Sequence, residues 1–416
     1  MGSRWQVLRR RLEFEYTRLR AYPLRVLAQK LGLKMLGSVI GLLLLPLTVI
    51  LHVAGFRRVD FFLDRIGHLA IEPDCLLRDQ ALGLVPARKW VMLAPSHRVA
   101  NSHLLRYWEP HFLVIRSRLL CFVIQSATRW KLGMHDASSY MRAIGRTQSA
   151  YRVYRDWGRR PPVLQLSAED IEWGAQQLEL MGVPRDAWFV CLHVREAGFS
   201  PVDEELHRHR NADIHNTCLA VEEIVRRGGW VIRLGDPSMT PMPAMPQTID
   251  YAHHPLRSPR LDIYLCARSR FILGNTSGIA IVGTIFGVPS ALANMIPITA
   301  MGYERQDISI PKLIWSSTEQ AYVSMRSLID QGLGSAQYYS QYLAEGVVPE
   351  ENSAEDILDL TLEMFDSLDS EVRDPEALRL QAAFSDSLRD GDYAYKAASS
   401  TGARFLRKHQ DKLKVG

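Results

Sequence analysis

Phe271-Ile272-Leu273-Gly274-Asn275-Thr276-Ser277-Gly278 reads as an apolar strand running into a polar, glycine-bearing loop. Residues 279–286 continue as an apolar helical run, closed by Gly287-Val288-Pro289. About 80 residues earlier a second apolar run, Trp188-Phe189-Val190-Cys191-Leu192, ends in His193-Val194-Arg195-Glu196. Strand, polar loop, helix start is the order that exposes backbone N–H groups to a ligand in an open α/β sheet. Two such loops, one carrying an arginine, point to a substrate bearing a diphosphate and so to chemistry on a nucleotide sugar.

The chain between and around these loops alternates strand and helix signals. Ser167-Ala168-Glu169-Asp170 opens a helix that Gly182-Val183-Pro184 stops, and Arg210-Asn211-Ala212-Asp213 caps a helix over 214–227 that ends at Gly228-Gly229. Trp230-Val231-Ile232-Arg233-Leu234-Gly235-Asp236 is a strand followed by a loop, and residues 237–246 form a proline-rich stretch too long for a simple connection, expected to be a mobile or a substrate-covering loop. A short helix over 262–267 precedes the Phe271 strand. Alternation of this kind predicts a doubly wound parallel sheet. Upstream, residues 59–70 read as an early strand and a turn around Gly67-His68, followed by a helix or second extended piece towards Leu76; 89–95, 111–115 and 119–124 read as short strands, with a connecting helix over 100–107. Residues 353–368 and 375–388 read as amphipathic helices.

The 416 residues give room for two domains and an extension. The expected division is a basic and hydrophobic segment over 1–56, an α/β acceptor domain over 57–165, an α/β nucleotide-sugar-binding domain over 166–370, and C-terminal helices over 371–416. Residues 1–34 carry nine Lys/Arg against two Glu, a net +7, which leaves −2 for the remainder of a chain whose total is +5. Basicity confined to one end does not describe a nucleic-acid-binding surface. The five cysteines are scattered, form no C-x-x-C pair and read as reduced thiols.

Residues 35–56 contain no Asp, Glu, Lys or Arg. As one helix they would extend about 33 Å, enough to cross a hydrocarbon core of about 30 Å. The basic residues before them favour an inside N-terminus and anionic lipid. Pro46 stands mid-run with Arg57-Arg58 beyond it, so a broken, re-entrant or in-plane helix is expected, keeping both basic flanks on one face. This segment, residues 1–58, is the expected membrane contact.

Arg195 is the candidate for the diphosphate charge, with Thr276, Ser277 and Gly278 receiving its oxygens. His193, Glu196, Arg210, Asn211, Asp236 and Asn275 line the same site. His68, beside a glycine at a turn, is the candidate base for an acceptor hydroxyl. No Walker A motif occurs. Asp390-Gly391-Asp392 is formally D-x-D but lies in a polar C-terminal stretch and reads as surface charge, and His207, His209, His215 and Asp213 match no zinc spacing. Neither a metal nor another cofactor is expected. Residues 404–414 read as a basic, solvated helix face.

Taken in order, Arg65-Ile66-Gly67-His68-Leu69-Ala70, His193-Val194-Arg195-Glu196, Arg210-Asn211-Ala212-Asp213, the Gly228–Asp236 stretch, Asp262-Ile263-Tyr264-Leu265 and Asn275-Thr276-Ser277-Gly278 with Phe286-Gly287-Val288-Pro289 resemble a bacterial family of glycosyltransferases of surface-polysaccharide synthesis. The resemblance spans roughly residues 57–370. It implies a GT-B-like fold of two Rossmann-like domains facing across a cleft, with Arg195 and Ser277-Gly278 at the donor diphosphate. The His-x-Arg element is similar to that of GDP-fucose transferases, where a second arginine and a later acid follow; Glu196 and Ala197 stand here, so the likeness implies a diphosphate role without naming the donor. The acceptor would be a glycan or a lipid-linked glycan, and the place the cytoplasmic face of a bacterial inner membrane. A nucleotide-sugar epimerase or hydrolase on the same fold, and a non-catalytic scaffold subunit of a polysaccharide assembly complex, are the rival readings.

Overall fold

The computed structural model describes residues 24–141, 147–197, 201–370 and 374–414. The basic residues before Leu24 lie outside the described residues. The chain forms two compact units, and they are interleaved in sequence. Among the described residues, one comprises 24–60, Arg88–His97 and His111–Asp136; the other comprises Phe61–Ala87, Arg98–Pro110 and all that follows Ala137. The sequence expectation of a boundary near 165 therefore differs from the observed division: residues 61–87, 98–110 and 137–165, assigned to an acceptor domain, belong to the larger unit.

The smaller unit is built on four parallel strands, β1 (Phe56–Val59), β2 (Lys89–Leu93), β3 (Leu113–Ile115) and β4 (Met134–His135), in the order β3-β2-β1-β4. Its first helix, Leu24–Leu43, breaks at Leu44, and a second runs Leu45–Val53. Pro46 sits in the first turn of the second helix, where its missing N–H costs nothing, while its ring prevents the first helix from continuing. The two axes meet at 60°, and among the described residues no single helix is long and apolar enough to cross a membrane. Residues 119–124, expected as a strand, lie instead in the helix Arg118–Ala127, N-capped by Ser117. Its apolar run is too short for periodicity to separate the two states.

The larger unit carries a sheet of seven parallel strands, β5 (Phe189–His193), β6 (Trp230–Arg233), β7 (Thr248–Ile249), β8 (Ile272–Gly274), β9 (Ser290–Met295), β10 (Ile308–Pro311) and β14 (Ser400–Thr401), in the order β14-β10-β9-β8-β5-β6-β7. Strands β5, β8, β9 and β10 are buried at every residue, as expected for a sheet covered on both faces, and this explains their mainly apolar sequence, with the buried polar exceptions His193, Ser290, Asn294 and Ser309. A small antiparallel sheet is formed by β11 (Leu313–Ser316), β12 (Ala321–Tyr322) and β13 (Val347–Glu350).

The helices over Ala168–Leu180, Cys218–Arg226 and Ala354–Asp369 stand where the sequence places them. Ser167 caps the first, and Ser353 with Asp356 forms a capping box on the last. Gly228, at φ +84°, supplies the left-handed residue that ends the second. The Ile66–Ala81 helix begins one residue before the expected Gly67-His68 turn, so both residues lie in its first turn.

One other expectation is corrected in part. Asp390 is exposed, but Asp392 is buried, accepting the Arg389 N–H at 2.8 Å and the Ser335 hydroxyl at 3.3 Å, so that half of the D-x-D braces a turn. In 404–414, the partly exposed Arg404 pairs with Asp366, Arg407 with Asp374 and Glu376, and Lys408 with Asp356.

Gly174, on the Ala168–Leu180 helix, lies under the Tyr264 ring; a Cβ there would fall 2.2 Å from a ring carbon. Gly174→Ala is expected to lower stability by about 1–3 kcal/mol through this overpacking, read as a lowered urea midpoint with an unchanged slope.

Candidate functional site

The order of the seven-stranded sheet reverses at one place. From β5 the chain moves outward through β6 to β7, then returns to add β8, β9 and β10 on the other side. The neighbours β5 and β8 therefore flank a topological switch point, where the loops leaving their carboxyl ends diverge and open a crevice. Those two loops are His193–Arg195 and Asn275–Gly278, the stretches singled out by sequence.

Side chains lock the two loops together. Asn275 is buried; its Oδ1 accepts the Arg195 backbone N–H at 3.0 Å and its Nδ2 donates to the Arg210 carbonyl at 3.3 Å. The Arg210 guanidinium donates to the Thr276 carbonyl at 2.7 Å. The Arg195 guanidinium hydrogen-bonds the Asn211 side chain and donates to the His207 carbonyl at 3.2 Å. Asn211 in turn donates to Glu204 at 2.7 Å, and its carbonyl accepts the Lys312 ammonium at 2.7 Å. Thr276 turns its hydroxyl inward, accepting the Ile296 N–H at 3.1 Å, which leaves its backbone as the part it can offer a ligand.

His193 is buried at the end of β5, between the Leu234 carbonyl at 3.1 Å from Nδ1 and the Ser277 hydroxyl at 2.9 Å from Nε2. The carbonyl can only accept, so Nδ1 carries the proton and Nε2 accepts from Ser277. Burial, with smaller contributions from Arg233 and Arg195, pushes His193 down to about 4. His209, packed between Tyr339 and Tyr342, is pushed down to about 3 by burial and then by Arg210, His207, Lys312 and Arg195. Both imidazoles are neutral near pH 7. The positive field around Arg195 belongs to Arg210 and Lys312, whose ammonium burial brings down only to about 8.

On the other side of the Ser277-Gly278 turn stands the helix that carries His68. Gly67 and Gly278 touch backbone to backbone: a Cβ on Gly67 would lie 2.8 Å from the Gly278 Cα. Only glycines permit this approach. The helix has Arg65 at its N-cap, no side-chain cap and no acidic residue in its first turn. His68 Nδ1 lies 2.7 Å from Glu72 Oε1, while Glu72 Oε2 accepts the Phe62 N–H at 2.9 Å. Glu72 is 1% exposed and His68 23%. The carboxylate fixes the proton on Nδ1 and leaves the Nε2 lone pair available as a base. The helix after Gly278, Ala280–Ile285, has only six residues, so the long helix beside the turn is Ile66–Ala81, which carries His68.

Glu196 and Asp236 play a different part. Arg233, fully buried in β6, pairs with Asp250 at 3.1 Å and Glu196 at 3.7 Å and donates to the Thr240 carbonyl at 3.0 Å. Glu196 accepts the Thr240 N–H at 2.7 Å, Asp250 accepts that of Met242 at 2.9 Å, and Asp236 that of Ser238 at 3.0 Å. The proline-rich loop expected to be mobile or substrate-covering is thus pinned at Ser238, Thr240 and Met242, with its Met239 and Met242 side chains buried.

Sequence reading missed Glu72, Glu204, Arg233 and Lys312. A lone cation inside an apolar run was the available signal for Arg233 and Lys312. The described residues contain no group of three or more His, Cys, Asp or Glu able to hold a metal ion. His215 instead pairs with Asp213 at 2.7 Å, and His207 faces the Gln337 carbonyl.

His193 sets a pH dependence. Its folded value lies below the ordinary 6.5, so its contribution to stability is complete above pH 6.5 and is lost as pH falls toward 4, where the loss reaches about 3 kcal/mol. His193→Gln is expected to flatten the fall in urea midpoint across that window by a similar amount, leaving the share due to His209. An unchanged acid limb would contradict the burial of His193.

No family description matches the sequence, and no curated protein matches it. Among solved structures the chain is similar to a glycosyl transferase family 9 protein from Veillonella parvula, at 13% identity and a TM-score of 0.43 over 76% of this chain and 98% of that one. It is similar to the ADP-heptose LPS heptosyltransferase II of E. coli at 12% identity and 0.42, over 76% and 100%. It is also similar to the E. coli heptosyltransferase WaaC with ADP at 9% identity and 0.33, over 70% and 99%. These likenesses are loose, and the functional reading rests on the residues of the site.

Proposed function

We propose that this chain is a glycosyltransferase of GT-B-like organisation. In this reading it moves a sugar from a nucleotide-diphosphate donor to a glycan or lipid-linked acceptor in bacterial surface-polysaccharide synthesis. The donor is held by the seven-stranded sheet and the acceptor by the N-terminal part of the chain. Residues 1–58 attach it to the cytoplasmic face of the inner membrane. One observation carries the reading: cationic Arg195, Arg210 and Lys312 gather at the β5/β8 switch point, while an oriented His68–Glu72 pair stands on the helix that touches Gly278.

The chemistry follows from charge. As the bond from the sugar to the donor phosphate breaks, its electron pair leaves with the diphosphate, which gains negative charge. Arg195 and backbone N–H groups at Ser277 and Gly278 receive that charge in a partly dehydrated crevice. The acceptor hydroxyl forms the new bond to the sugar carbon and gives its proton to His68 Nε2. Glu72 stabilises the imidazolium that results. Protein groups supply the stabilisation in this scheme, with no metal or other cofactor assigned a part.

Calorimetric titration of the folded protein with ADP, GDP, UDP and dTDP is expected to find one tight ligand. Arg195→Ala should weaken it about 10- to 100-fold, since a charge-assisted hydrogen bond contributes about 1.5–3 kcal/mol. His68→Gln should retain the affinity. Failure of all four to bind would overturn the donor-site assignment in favour of a non-catalytic scaffold.

A further inference from the structure

The smaller unit has a one-sided chemistry that the N-terminal helices alone do not account for. Its described residues, 24–60, 88–97 and 111–136, contain eleven Lys/Arg and two acids, Asp60 and Asp136. Large apolar side chains stand in solvent on the two N-terminal helices, and also well away from them in sequence. Leu119 is 70% exposed, Leu120 51% and Trp130 52%. Three such residues within twelve positions make a patch and not the scattered exposure of an ordinary surface.

These residues belong to the Arg118–Ala127 helix and the turn after it, and that helix is fastened to the N-terminal one. A Cβ on Gly37 would lie 3.0 Å from the Ser126 hydroxyl, and one on Gly41 2.5 Å from the Ser126 carbonyl, so two glycines allow close packing. The Arg129 guanidinium donates to the Lys34 carbonyl and the Ser38 hydroxyl, both at 2.7 Å. The exposed cations Arg116 and Arg118 precede the apolar residues, Arg129 and Lys131 follow them, and no Asp or Glu occurs from residue 110 to 135.

We propose that the Arg118–Ala127 helix and Trp130 form a second membrane-contact element, seated in the headgroup region of an anionic bilayer beside the N-terminal helices. Ten residues extend about 15 Å, half of a hydrocarbon core, so this helix lies in the plane and does not cross. Leu119, Leu120 and Trp130 enter the acyl boundary, and the arginines and lysine on either side meet lipid phosphates. Charge complementarity selects the bilayer as occupant: a face ringed by cations and free of acids repels a second copy of itself. The proposal rests on the membrane attachment of residues 1–58 and adds a contact to it, which would hold the unit at the surface where a lipid-linked acceptor resides.

The test uses the full chain with vesicles of phosphatidylethanolamine and phosphatidylglycerol, against vesicles of phosphatidylcholine alone. Leu119→Glu/Leu120→Glu is expected to weaken sedimentation with the anionic vesicles by tenfold or more, roughly what two lost leucine burials imply. Brominated lipid should quench wild-type fluorescence, and Trp130→Phe should lose part of that quenching. Unchanged melting and nucleoside-diphosphate binding show that the variants fold. If the wild type binds and neither variant differs from it, the second contact is refuted while the N-terminal attachment stands. If the wild type binds no vesicle, both fall. If the double variant binds vesicles normally but converts a wild-type dimer to monomer by light scattering, the face belongs to a second copy, and the proposal is overturned.

Discussion

The candidate site depends on the Asn275 carboxamide. It joins the exit of β5, through the Arg195 N–H, to the segment that carries Arg210 and Asn211. Two parallel strands whose connections run in opposite directions would otherwise leave their terminal backbone groups unpaired in a crevice. One buried side chain, using an acceptor and a donor at once, satisfies both and fixes where the Arg195 side chain begins. Burying such a group unpaired would cost more than its bonds contribute, so loops, cations and carboxamide hold as a set.

The second constraint is steric. Gly67 against Gly278 brings the first turn of a sixteen-residue helix onto the Ser277 turn. The same contact brings His68 to the site and lets the partial positive charge of an uncapped helix start add to that of the arginines. Glu72, one turn later on the same helix, reaches back to His68 and also to Phe62, so it serves the base and anchors the loop entering the helix. Arg233 does comparable work beneath the proline-rich loop: fully buried, it needs Glu196, Asp250 and the Thr240 carbonyl, and by taking them it anchors the chain around the crevice.

Much of the large sheet could be read from sequence because β5, β6 and β8 are continuous apolar runs that stop at polar loops, and their helices carry capping residues such as Ser167 and Ser353. The loops bearing Arg195 and Ser277 were visible for the same reason. Residues that act at long range were not. Lys312 meets Asn211 across 101 positions, and nothing local marks that partner. Nothing in the sequence around Glu72 marks its pairing with His68 and the Phe62 N–H. The interleaving of the units was equally hidden, since strand pairing between Phe56 and Lys89, or Arg58 and Met134, leaves no trace in local periodicity. At 118–127 ten mostly apolar residues suited strand and helix alike; the glycines at 37 and 41 that receive that helix are more than 75 positions away.

The account's central claim is that the β5/β8 crevice receives a diphosphate. A crystal structure with the bound nucleoside diphosphate tests it most directly. The predicted result is phosphate oxygens within hydrogen-bonding distance of the Arg195 guanidinium and the Ser277 and Gly278 amides, with His68 Nε2 open toward the position of the sugar. A diphosphate lodged elsewhere, with Arg195 still turned to Asn211 and away from it, would contradict the account.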